Sequence, residues 1–138
     1  MSYQKCQIIG RLGGDPEMRY TPSGQAVTHF SVAANRKYTH GDGSEVKEVA
    51  WFKVSAWGKR AEACNSYLHK GSLVYVEGRL TVDPATGGPR LWTREDGAPA
   101  ASFELHADLV RFLGGRNGDG VEGDEPPADE SGEGEIPF

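Results

Sequence analysis

An all-β barrel carrying one helix and followed by a disordered acidic tail is the architecture predicted for this chain of 138 residues. Three observations predict it. Apolar and polar side chains alternate with period two over most of residues 1–113, as half-buried strands require. Clusters of Gly, Pro, Asp and Ser interrupt that alternation at short intervals, which suits antiparallel hairpins better than βαβ units. Beyond residue 113 the chain turns acidic and carries almost no large apolar side chain to bury.

The first strand is predicted from about Tyr3 to Leu12, ended by Gly13-Gly14-Asp15-Pro16. A short extended piece at Met18 to Tyr20 meets the turn Thr21-Pro22-Ser23-Gly24, whose Pro–polar–Gly order suits a β-turn. The second strand follows from Ala26 to Asn35, with Ala26, Phe30, Val32 and Ala34 on one face and His29 and Ser31 on the other. A polar loop from Thr39 to Ser44 leads to the third strand, about Val46 to Trp57. A helix is predicted from Lys59 to about Leu68, because Ala61, Cys64 and Leu68 form an apolar stripe between Gly58 and Gly71. The fourth strand, Ser72 to Val82, contains Gly78, which signals a bend or bulge. A long Gly- and Pro-rich loop from Asp83 to Pro99 precedes the fifth strand, Ala101 to Phe112. Five strands with a helix between the third and fourth is the element order of the OB-fold, a small partly open Greek-key barrel. One domain over residues 1–113 and a tail over 114–138 are therefore expected.

Composition narrows the functional classes. Hydrophobic residues make up 37% of the chain, and no run approaches the roughly 18 apolar residues of a membrane span, so a soluble protein with no membrane partner is expected. The start, Met-Ser-Tyr-Gln-Lys-Cys, has neither the apolar core of a secretory signal nor the look of a transit peptide, which makes the cytoplasm the expected compartment. Cys6 and Cys64 are too few for a disulfide framework and lack metal-site spacing. The net charge of -5 argues against a nucleic-acid partner until it is divided along the chain. Residues 1–113 hold 14 Lys and Arg against 12 Asp and Glu, a balance of +2, whereas residues 114–138 hold one basic residue and eight acids, a balance of -7. The acidity belongs to the tail. Its last apolar residues, Ile136, Pro137 and Phe138, follow Glu133 and Glu135, as in a docking peptide whose ring and terminal carboxylate enter a basic-rimmed pocket.

The third strand points to chemistry. One face reads Lys47, Val49, Trp51, Lys53, Ser55 and Trp57, and the other reads Val46, Glu48, Ala50, Phe52, Val54 and Ala56. The second set is expected to be core, leaving two exposed indoles separated by a lysine. Bases of a single strand stack on such rings at about 1–3 kcal/mol each while Lys and Arg follow the phosphates. Basic and aromatic residues alternate twice more, at Arg36, Lys37 and Tyr38 and at Arg90, Trp92 and Arg94. In the competing reading, Trp51 and Trp57 only plug the end of the barrel.

These residues also carry a family resemblance. Residues 8–24, the strand Ala26 to Ala34, the blocks Trp51-Phe52-Lys53-Val54, Trp57-Gly58-Lys59, Tyr67 to Ser72 and Val74 to Gly78, and the terminal Ile136-Pro137-Phe138 resemble bacterial single-stranded DNA-binding proteins in order and spacing. The resemblance implies that Tyr38, Trp51, Trp57 and Trp92 are base-stacking residues, with Tyr38 where Trp is common and Trp57 where Phe is common. It also implies a homotetramer of one-domain chains that coats single-stranded DNA in replication, recombination and repair and recruits replication and repair proteins through the tip.

Catalytic constellations do not compete. The chain has no phosphate-binding G-x-x-x-x-G-K-[ST], no G-x-S-x-G elbow and no H-E-x-x-H. His29, His40, His69 and His106 lack ligand spacing, and Val121 and Gly123 stand where a calcium loop needs oxygen ligands. Neither a cofactor nor an enzymatic activity is expected. Two other readings stay open from the residues alone: an RNA-binding OB module, since every base has a π-face, and a protein-interaction adaptor whose Trp face is a subunit interface.

Overall fold

A computed structural model describes residues 1–114. The chain runs through β1 (Cys6–Leu12), β2 (Glu17–Tyr20), β3 (Ala26–Thr39), β4 (Glu45–Trp57), α1 (Lys59–Tyr67), β5 (Leu73–Leu80), β6 (Leu91–Thr93), β7 (Pro99–Ala101) and β8 (Phe103–Leu113). The predicted tail, with Ile136, Pro137 and Phe138, lies outside the described residues.

The main sheet has the order β1-β5-β8-β4-β3-β2, and β1 also pairs with β3 through Arg11↔Ala33 and Leu12↔Val32. That second pairing closes β1, β5, β8, β4 and β3 into a five-stranded barrel, as predicted. Gly10 precedes the point where β1 passes from β5 to β3, and a side chain there would overlap the Ala33 carbonyl oxygen. On the opposite side, the β5–β8 register shifts between Glu77 and Gly78, and the missing side chain of Gly78 lets the His106 carbonyl approach. This is the bend that Gly78 signals in the sequence.

Alternation puts Ile8, Leu12, Phe30, Val32, Val54, Val74, Val76 and Leu105 inside the barrel. Helix α1 covers one end of that core with the predicted stripe: Ala61 and Cys64 are fully buried and Leu68 is nearly so. Burial of a side chain such as Leu68 contributes about 1.5–3 kcal/mol. Gly58, with φ at 68°, turns β4 into the helix, and its carbonyl accepts from the amides of Ala61 and Glu62. The buried Thr28 hydroxyl donates to the Ala61 carbonyl at 2.7 Å, tying β3 to α1.

Two expectations are corrected. The segment Asp83 to Pro99, expected to be a loop throughout, contains β6 and the start of β7, which pair antiparallel through Leu91↔Ala101, Trp92↔Ala100 and Thr93↔Pro99. Pro and Gly dominate the composition of that segment and hide two three-residue strands within it. The outer half of β4 is not core: Val46 and Ala50 are half-buried and Glu48 is exposed. The reason is length. Strands β3 and β4 pair continuously from Val27↔Trp57 to Thr39↔Glu45, but β8 pairs with β4 only from Phe52 to Ser55. Beyond Phe52 the two strands project from the barrel as a ribbon whose inner face no further strand covers among the described residues.

Candidate nucleic-acid interface

The platform is built by register. Facing residues of an antiparallel pair share a face of the sheet, so Trp51, Lys53, Ser55 and Trp57 of β4 lie beside Ala33, Ser31, His29 and Val27 of β3. On the β3 side the neighbours of Trp51 and Lys53 are the small Ala33 and Ser31, and the side chains of Trp51 and Lys53 are exposed. On the other side of β4, the parallel strand β8 sets Glu104 beside Lys53 and His106 beside Ser55. The three strands thus form one outer surface, floored by a groove of about 910 Å³ that Trp51, Lys53, Trp57, Arg90 and His106 help to line.

Trp51 is 52% exposed, and its ring packs over Gly13, where a Cβ would come within 2.6 Å of it. Trp57 corrects the expectation of two exposed indoles: it is half-buried and stacks against His106, ring centroids 6.5 Å apart and planes 25° from parallel. One face of that indole is already occupied. Trp92 lies on β6, outside the groove lining but joined to it, because the Lys53 Nζ sits 5.1 Å from its ring centroid. Its indole N–H donates to the Ser102 hydroxyl at 3.4 Å.

The projecting ribbon separates the cluster Arg36, Lys37 and Tyr38. Lys37 pairs with Lys47 and shares the Trp51 face, whereas Arg36 and Tyr38, opposite Glu48 and Val46, belong to the other. Arg36 and Tyr38 meet each other, with the guanidinium carbon 4.4 Å from the ring centroid. The structure therefore gathers Trp51, Lys53, Trp57 and Arg90 in the groove, with Trp92 at its edge, and leaves Arg36, Lys37, Tyr38 and Arg94 outside it.

Electrostatics divides the five basic candidates as well. Arg36 pairs with Glu48 at 3.0 Å, Lys37 with Glu45 at 3.3 Å, Arg90 with Glu104 at 3.8 Å and Arg94 with Asp96 at 3.1 Å. Lys53 has no carboxylate within 4.0 Å among the described residues. Sequence reasoning also missed further groove residues, among them Gly13 in the turn after β1 and, on the strands, His29, Glu104 and His106. The alternation of β3 and β8 sets their outer faces, and the pairing of β3 and β8 with β4 is what brings those faces together. Among the described residues, no three His, Cys, Asp or Glu side chains converge as a metal site needs, and no helix is long and apolar enough to cross a membrane.

The model of the single-strand binding protein family matches residues 3–113. The chain belongs to that family. A single-stranded DNA-binding protein of Neisseria meningitidis serogroup A is 39% identical over 117 residues, which cover 85% of this chain and 63% of the relative. One from Helicobacter hepaticus is 36% identical over 125 residues, covering 91% of this chain and 67% of the relative. This member of the family thus spans about two thirds of the length of those relatives. Among solved structures, a deletion mutant of the single-stranded DNA binding protein from Thermus aquaticus superposes with a TM-score of 0.63 at 32% identity, covering 82% of this chain and 51% of that one. A Plasmodium falciparum SSB in complex with ssDNA gives 0.66 at 24% identity, covering 83% of this chain and 97% of that one, and supports the shared fold.

Proposed function

We propose that this chain binds single-stranded DNA with little sequence preference and without catalysis, using residues 1–113 as the binding domain. The observation that carries the proposal is the Trp51–Lys53–Trp57 face of β4, where an exposed ring, a cation with no carboxylate partner among the described residues and a second ring line one groove. Rings take bases and the cation takes phosphate, neither of which depends on base identity. Trp92, Arg90 and Arg94 extend this path along the β6–β7 hairpin, and Arg36, Lys37 and Tyr38 supply a further strip on the ribbon. Family membership supports DNA as the polymer, and the names of the relatives point the same way.

The same reading assigns assembly as a homotetramer, action in replication, recombination and repair, and a location with the chromosome in the cytoplasm. Residues 114–138 would serve as an acidic tail whose tip, Ile136, Pro137 and Phe138, recruits replication and repair proteins. The deciding experiment is a titration of intrinsic Trp fluorescence with an unstructured oligothymidylate, a matching RNA and a duplex, each at low and high salt. Strong quenching by the oligothymidylate and weak quenching by duplex is the expected result. No quenching by any nucleic acid would return the indoles to a structural role, and equal quenching by RNA would favour an RNA-binding module.

A further inference from the structure

The groove carries no net charge of its own. Three carboxylates, Asp15, Glu17 and Glu104, and three cations, Arg19, Lys53 and Arg90, line it. For a surface that takes a polyanion this is a weak field, because phosphate binding draws on excess positive charge. Two further residues line the same groove, His29 and His106, and imidazole is the side chain that gains charge as pH falls from about 8 to 5. With both protonated the formal charge of the lining becomes +2.

Their placement is structured. His29 and His106 flank Ser55 on either side of β4, one through the antiparallel pairing of β3 and the other through the parallel pairing of β8. They therefore stand two strand spacings, about 10 Å, apart. His29 is exposed, and its Nδ1 lies 3.0 Å from the Ser55 hydroxyl, which can accept from the ring or donate to it. His106 is half-buried beneath the Trp57 indole.

The charged groups around the two rings are of both signs. Glu17 of β2 stands opposite His29, with Arg19 3.6 Å from that carboxylate. Arg79 of β5 stands opposite His106, and Glu104 and Asp108 are its alternate neighbours on β8, Glu104 being occupied by Arg90. Lys53 lies one alternate position from Ser55 on β4.

We infer that His29 and His106 form a proton-dependent phosphate-binding row in the groove, so that single-stranded DNA is held more tightly as pH falls. This rests on the reading of the groove as a single-stranded DNA site. Each imidazolium that meets a phosphate adds about 0.7 to the magnitude of the log–log salt slope, or about fivefold in affinity at 0.1 M salt.

The test is fluorescence anisotropy of a labelled oligothymidylate without terminal phosphate, titrated with the full chain at several salt concentrations, at about pH 8 and about pH 5.5. Thymine and the phosphodiester keep their charge across that range, so any change belongs to the protein. The wild-type slope should steepen by about 0.7–1.4 at the lower pH. The double variant His29→Gln, His106→Gln should lose the increment, and His69→Gln, outside the groove, should keep it. Equal wild-type slopes at both pH values would overturn the inference without any variant having to fold, as would an increment that survives in the double variant. Absence of binding at pH 8 and low salt would instead remove the single-stranded DNA reading itself.

Discussion

Lys53 stands over the indole of Trp92, its Nζ 5.1 Å from the ring centroid, and so links the central barrel strand β4 to the separate β6–β7 hairpin. A cation over an indole at an exposed site is worth about 0.5–1 kcal/mol. If the contact also sets the hairpin against the groove, Lys53 and Trp92 will not act independently on DNA. A double-mutant cycle with Lys53→Ala and Trp92→Ala should give a coupling of about 0.5–1 kcal/mol in DNA affinity. Strict additivity would mean that the hairpin binds, or fails to bind, by itself.

The two β4 indoles should differ in effect. Trp51 is open, so Trp51→Ala should cost about 1–3 kcal/mol of affinity with little loss of stability. Trp57 is half-buried against His106, so Trp57→Ala should lower both affinity and thermal stability. Parallel measurement of oligothymidylate binding and the melting temperature separates the two, and unchanged affinity in a folded double variant would remove the platform.

Gly13 offers a control on ring position. A methyl group there would lie 2.6 Å from the Trp51 ring, and the far end of an exposed indole can swing away. Gly13→Ala should therefore cost only a few tenths of a kcal/mol, or about 1–2 °C in melting temperature, while weakening DNA binding and altering the Trp emission. A variant that binds as the wild type does would show that the observed pose of Trp51 is not the bound one.

Glu104 holds Arg90 at 3.8 Å inside the groove. Glu104→Gln frees that guanidinium and shifts the lining by one positive charge, so affinity for oligothymidylate should rise about fivefold at 0.1 M salt, with a slope steeper by about 0.7. Binding isotherms across salt concentrations decide it, and a weaker complex would mean that Glu104 positions Arg90 for use.

On the far side of the barrel the Lys5 ammonium donates to Glu77 at 2.6 Å, and the Tyr75 hydroxyl donates to the same carboxylate at 2.9 Å. The hydrogen bond from Lys5, then that from Tyr75, holds Glu77 below its usual 4.5, while the bond to Glu77 raises Lys5 above 10.5. A lowered carboxylate stabilises the fold above its unfolded value and loses that contribution as pH falls through the folded one; a raised ammonium does so below its unfolded value and loses it as pH rises. The stabilising window therefore runs between those two ranges. Lys5→Met should lower the melting temperature near pH 7 and lose most of that deficit below the carboxylate range; a deficit constant with pH would mean that only packing was lost.

Much of the barrel is legible in the sequence because it follows from alternation and punctuation. Ala61, Cys64 and Leu68 announce the helix, Gly78 announces the bulge, and Val54 and Ala56 announce the inward face of β4. The groove is less legible, since its walls come from pairings between segments far apart in the chain. Nothing local to His106 says that it lies one strand from Ser55, or that Trp57 uses it as a backing. The incomplete burial of Val46 and Ala50 is also out of reach, because alternation states which face a residue is on and is silent about whether another strand covers that face. Carboxylate partners for Arg36 and Lys37 depend on cross-strand register in the same way, and that for Arg90 depends on where the segment before β6 meets β8.

Those carboxylate partners set how an encounter begins. Arg36, Lys37, Arg90 and Arg94 each hold an acid, so their charges cancel at distances beyond a few ångströms, and the surface projects little attraction into solution at physiological ionic strength. On the proposed reading a passing polyanion would be captured by contact instead of being steered from afar, and each guanidinium or ammonium would have to trade one oxyanion for another as the strand settles. Association should accordingly be slow to respond to ionic strength, with the salt sensitivity concentrated in the lifetime of the complex. Duplexes and other polyanions that cannot offer an open base to Trp51 would leave before the exchange is complete, so discrimination would arise from residence time.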